Sequence, residues 1–114
     1  MIAEKADEAI QQAVCYELQN IVKNHGAVYA SEHEAYAVLL EEVEEAKDSY
    51  KCMRIWLKSI WKHIKNNENQ GMESCVKIMK KHALELIEEA VQCAAVCERF
   101  EETIKREEHN EKLS

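Results

Sequence analysis

Apolar residues recur three and four positions apart in three long stretches of the chain, with polar interruptions between them. Ile10, Val14, Leu18, Ile21 and Val22 mark the first. Their spacing predicts an amphipathic helix over residues 3–23. It ends at Asn24-His25-Gly26, where glycine can take the left-handed conformation that closes a helix. The second stretch opens on Ser31-Glu32-His33-Glu34, a capping-box pattern in which the serine oxygen accepts an orphan amide. Leu39, Val43, Ala46, Tyr50, Met53, Leu57, Ile60 and Ile64 then follow in alternating steps of four and three. This predicts a helix over 31–66 with a sustained seam, stopped by the polar run Asn66–Gly71. The third stretch carries Val76, Met79, Ala83, Leu86, Ala90, Cys93, Cys97, Phe100 and Ile104, and predicts a helix over 73–108. The last ten residues, 105–114, are mostly charged and are expected to fray as a tail.

The composition supports the same picture. There are 114 residues, no proline and two glycines, Gly26 and Gly71. A sheet protein of this size needs more turn residues than that. The reading is one all-α domain, residues 1–114. Between Leu86 and Cys97 the third helix is apolar on nearly every side, counting Ile87, Val91, Ala94, Ala95 and Val96. Such a helix must be covered all round. Three helices of one chain cannot do this, so the expected architecture is an antiparallel helical bundle completed by a homodimer or homotetramer.

Formal net charge is -7, which argues against a nucleic-acid partner. It leaves room for a phosphorylated small molecule met through a metal ion. Five cysteines without a CxxC pair, and no secretory leader pattern at the start, suggest reduced thiols and a cytoplasmic location. No apolar run approaches the roughly 18 residues of a membrane span, so no membrane partner is expected.

The carboxylates are the candidate chemistry. On a helix advancing about 100° per residue, Glu42, Glu45 and Glu41 fan out along one flank of the second seam, about 60°, 120° and 160° from Leu39. Glu41 and Glu45 are an i, i+4 like-charge pair, which disfavours a bare helix and invites a cation. On the third helix Glu89, Glu85 and Gln92 lie on one flank of Ala90, about 100° to 160° away. If the two helices run antiparallel, the fans can face each other and hold a hard dication. The other reading is that these glutamates form an ordinary solvated face.

Leu40-Glu41-Glu42-Val43-Glu44-Glu45-Ala46 resembles the EExxE motif of MazG-like, all-α nucleoside triphosphate pyrophosphohydrolases. Glu89-Ala90-Val91-Gln92 stands where that family has its second motif, ExxD. The stretch from Ser31 to Leu40 is similar to phage and prophage members, and the likeness covers roughly residues 31–104. It implies Mg²⁺ or Mn²⁺ as cofactor and a nucleotide as substrate. It also implies Glu41, Glu42, Glu45 and Glu89 as catalytic metal ligands. Gln92 replaces the family's aspartate, a neutral carbonyl oxygen in place of a carboxylate. The linker between the motifs is longer than usual in the family. Glu85 or Glu88, one turn away, can compensate for the missing charge.

Three further residues are candidate substrate contacts. Trp56, on the flank of Glu42, Glu45 and Ser49, can stack on a base or serve as core. Lys77 and Lys81 can meet phosphates or, like neighbouring Lys80, simply be solvated. His33, His63 and His82 show no zinc spacing and read as surface or capping residues. Three functions compete: a nucleoside triphosphate pyrophosphohydrolase, a protein that binds or sequesters a nucleotide without cutting it, and a helical module that inhibits a partner protein.

Overall fold

A computed structural model describes residues 1–113. Among these residues every regular element is a helix: α1 (Glu4–His25), α2 (Glu32–Lys65) and α3 (Met72–Leu113). No described helix is long and apolar enough to cross a membrane. None of the five cysteines forms a disulfide.

The helix ends follow from local chemistry. Gly26, at φ 91°, closes α1 with its amide on the Val22 carbonyl at 2.8 Å. An L side chain is strained at that φ, so glycine belongs there. At the start of α2 the Ser31 hydroxyl accepts the Glu34 amide at 3.1 Å, the serine half of the capping box. α2 ends in a Schellman motif. Asn67, at φ 54°, donates to the Ile64 carbonyl, and the Glu68 amide reaches back to that of His63.

The chain forms two compact units. The first joins Met1–Val43 to the part of α3 from Ala90 on. Its core centres on Tyr29, Ala35 and Val96, with Val38, Leu39 and Phe100 packed around them. The connection between α1 and α2 is held to α3 by polar bonds. Arg99, only 5% exposed, donates to the carbonyls of Gly26, His25 and Val28 at 2.8–3.0 Å. Its guanidinium lies 3.9 Å from the centre of the Tyr29 ring. The Tyr29 amide donates to the buried Thr103 hydroxyl at 2.9 Å, and Arg106 donates to the Ala30 carbonyl at 3.0 Å. Buried backbone carbonyls need partners, and the planar guanidinium fork supplies several at once.

The second unit, Glu44–Glu89, is a helical hairpin. Ser59 Oγ meets Cys75 Sγ at 3.5 Å, the His63 ring lies under Gly71, and carboxylate oxygens of Glu45 and Glu89 come within 4.8 Å. Each step forward on α2 is matched by an equal step back on α3, which makes the pair antiparallel. Cys75 is its one buried apolar residue among those described.

The seams differ in detail from the periodic reading. On α2 Leu39, Ala46, Met53 and Ile60 are half-buried, whereas Val43, Tyr50, Leu57 and Ile64 are exposed. Two helices in contact cover one row of a two-row seam. On α3 the buried positions past Ala90 are Ala95, Val96, Arg99 and Thr103, while Cys97 and Ile104 are exposed. Arg99 and Thr103 take core positions because the carbonyls of residues 25–28 and the Tyr29 amide satisfy them. Of the stretch expected to be dry all round, Ile87, Ala90 and Cys97 are exposed within one chain. The expected fraying tail is instead helical as far as Leu113. Thr103, Arg106 and the Lys105–Glu102 ion pair at 3.1 Å support its start.

Candidate functional site

Two features of the fold carry chemistry: a group of carboxylates where the EExxE stretch meets Glu89, and a cavity in the first unit. Glu45 is one member of the carboxylate group. One of its oxygens lies within 4.8 Å of an oxygen from Glu42, one turn back on α2, and of one from Glu89 on α3. The i, i+3 step stacks Glu42 and Glu45 on the same face, and the antiparallel hairpin brings Glu89 opposite Glu45. Glu42 and Glu89 are half-buried and Glu45 is exposed. Oxygen-only donors with this spread suit a hard dication such as magnesium, which keeps several of its waters. Exposed acidic groups also occur without a metal, so the donor set fits the ion without requiring it.

Of the other expected ligands, Glu41 is exposed on α2 and is not part of this group. Glu85 is engaged elsewhere, with an oxygen 3.0 Å from Nδ1 of His82. Gln92 lines the cavity of the first unit.

That cavity has a volume of about 440 Å³. Glu17, Glu34, Glu42, Gln92, His25, Tyr29 and Arg99 supply its polar lining, and Ile21, Val38 and Val96 its apolar lining. The size falls within the range of small-molecule sites. With three carboxylates on its wall and Arg99 already bonded to three carbonyls, it disfavours a bare phosphate. It suits a neutral, hydrogen-bonding group with one apolar face.

The candidate substrate contacts are more distant. Trp56 is half-buried in the hairpin, eleven residues beyond Glu45, or about 16 Å along the axis at 1.5 Å per residue. Lys77 and Lys81 are exposed, twelve and eight residues before Glu89, about 18 and 12 Å along α3. Lys77 pairs with Glu73 at 3.3 Å. His63 and His82 are half-buried beside Glu68 and Glu85, and His33 is exposed.

Sequence reasoning did not single out Glu17, His25, Tyr29 or Arg99. The available signal was an arginine between Val96 and Phe100 on a strongly apolar face, a position that burial alone would not give to a charge. Compared with family models, curated proteins and solved structures, the chain matches none.

Proposed function

We propose that this chain is a divalent-metal-dependent nucleoside triphosphate pyrophosphohydrolase of MazG-like type, its bundle completed by self-association. The observation that carries the reading is the meeting of Glu45 with Glu89, with Glu42 one turn away. The two motifs that resemble EExxE and ExxD lie 44 residues apart, measured from Glu45 to Glu89. Only a hairpin of the observed register brings them together.

Glu42, Glu45 and Glu89 would hold Mg²⁺ or Mn²⁺. When bound, the ion neutralises triphosphate charge that the carboxylates would otherwise repel. Within the first unit, the cavity wall of Ile21, Val38 and Val96 suits the apolar face of a nucleoside. One glutamate of the set acts as general base. It takes a proton from a water that attacks the α-phosphorus, and the α–β anhydride bond breaks to release pyrophosphate. Glu41, exposed on the same stretch but outside that set, is a further candidate for the role. Lys77 and Lys81, about 18 and 12 Å along α3 from Glu89, are left without a role in this reading.

A second reading is favoured by Gln92, which stands where the family carries aspartate. With one anionic ligand fewer, the same site binds a nucleotide and does not cut it. One experiment separates the two. The protein is incubated with a panel of nucleoside triphosphates and magnesium or manganese, and pyrophosphate release is measured together with nucleotide retention. Release that Glu45→Gln abolishes supports the enzyme, and retention without release supports the binder. If neither occurs, and the melting temperature does not respond to the metal, both readings fail.

A further inference from the structure

The uncovered row of the α2 seam is regular. Tyr36, Val43, Tyr50, Leu57 and Ile64 stand seven residues apart and are 48–62% exposed. Leu40 and Trp61 flank the row at 44% and 57%. A seven-residue repeat drifts only about 20° per step on an α-helix, so these side chains form one continuous stripe. The adjacent row, Leu39, Ala46, Met53 and Ile60, is the half-buried one.

Charge divides along the same helix. Residues 32–48 hold seven Asp or Glu and one Lys. Residues 49–65 hold five Lys or Arg, namely Lys51, Arg54, Lys58, Lys62 and Lys65, and no Asp or Glu. The helix dipole favours acids at the first turn and bases at the last. Its reach ends there, and it does not account for Lys51 and Arg54 near the middle. An apolar stripe with an acidic half and a basic half is complementary to itself when turned end for end.

We propose that two copies of this chain associate through antiparallel α2 helices, with the two-fold axis at Tyr50. Val43 and Leu57 lie seven residues to either side of that axis, and Tyr36 and Ile64 fourteen. Each apolar residue of the stripe therefore meets an apolar residue of the second copy. The acidic half of each helix faces the basic half of the other, twice per dimer by symmetry. Along the flank Glu44 falls within a turn of the second copy's Lys58. A parallel pairing would set acid on acid and base on base. Like-charge contacts of that kind select against the wrong orientation.

The test is a charge swap read by sedimentation equilibrium of the full chain, with circular dichroism to confirm helix content. Wild type should be a dimer at micromolar concentration. Glu44→Lys and Lys58→Glu should each weaken it, roughly tenfold, because every substitution acts at two places in the dimer. The double variant should recover most of the loss. Leu57→Glu, at a position exposed in the single chain, should leave the fold intact and weaken dimerisation by about a hundredfold or more. A monomeric wild type would overturn the proposal. So would a double variant no better than the singles, or a dimer indifferent to Leu57→Glu. Binding of the monomer through this stripe to anionic phosphatidylglycerol vesicles would also overturn it, since the stripe would then serve a lipid surface.

Discussion

The two units solve the same problem, keeping long amphipathic helices together, by different means. The first packs helix segments and a short connection around Tyr29, Ala35 and Val96, and ties the connection down with Arg99, Thr103 and Arg106. The second has two helices and a turn, and buries little beyond Cys75. Tyr50, Ile55, Leu57, Trp61, Ile64, Val76, Leu84 and Ile87 remain exposed on it. The charges differ as well. Glu44–Glu89 carries nine Lys or Arg and eight Asp or Glu, a formal +1. The rest of the chain carries six and fourteen, a formal -8. A connection of irregular backbone leaves carbonyls that must be bonded, and that demand brings polar residues into the core. A hairpin has no such demand, and its surplus apolar surface is left for another molecule to cover.

The sharpest way to break this comparison is to remove the polar tie. Arg99→Leu keeps much of the side-chain volume but takes the donor from three carbonyls of the connection. It should cost about 1–3 kcal/mol in urea unfolding, the range for hydrogen bonds to a charged group lost where water can partly replace them. Arg99→Lys keeps the charge without the planar fork and should fall between wild type and leucine. A loss under 1 kcal/mol for the leucine variant would mean the connection is held by packing alone.

Local stability should differ between the units. Amide hydrogen exchange in the Leu57→Glu background removes protection that self-association would add. There, mid-helix amides of residues 50–62 should exchange about tenfold or more faster than those of residues 95–103, because few buried contacts hold the hairpin closed. Equal protection would show that both units open together.

A smaller effect is expected at Tyr29. Its ring is packed against Arg99, but its hydroxyl is buried with no hydrogen-bond partner. Tyr29→Phe removes an unsatisfied polar group and keeps the ring. Stability should rise by up to about 1 kcal/mol. A fall of that size would reveal a bond made by the hydroxyl in solution.

The helices were legible in the sequence because their signals are local. Gly26, Ser31 and the 66–71 run mark ends within a residue or two, and three- and four-residue spacing marks the spans. The burial pattern was legible in part. Periodicity gives the direction of an apolar face, but it cannot say which row of a two-row seam a neighbouring helix will cover. Arg99 and Thr103 escaped it for a different reason. Their partners lie more than seventy residues away, and a scan for apolar periodicity counts both as surface. The carboxylates were legible as two fans that face each other if α2 and α3 run antiparallel, but not in which members meet. Glu42, Glu45 and Glu89 needed the hairpin register, whereas Glu41 and Gln92 proved to have surroundings of their own.

The smallest predicted effect bears on Gln92, in the acidic first unit. Gln92 shares its cavity with Glu17, Glu34 and Glu42. Gln92→Asp adds a fourth carboxylate to that wall. Without metal the added repulsion should lower stability by a few tenths of a kcal/mol, the scale of a solvated like-charge pair. With magnesium or manganese present the sign should reverse, because another anionic oxygen strengthens a hard-cation site. The side chain is one methylene shorter, about an ångström of reach, which limits the gain. The readout is the difference in melting temperature with and without metal, for wild type and variant, at fixed ionic strength. A larger metal-induced rise in the variant places residue 92 beside the ion, and pyrophosphate release measured alongside tells whether the added carboxylate also brings turnover. If the variant is destabilised equally with and without metal, residue 92 belongs to the cavity alone, and the likeness of Glu89-Ala90-Val91-Gln92 to the second motif of the family loses its chemical meaning.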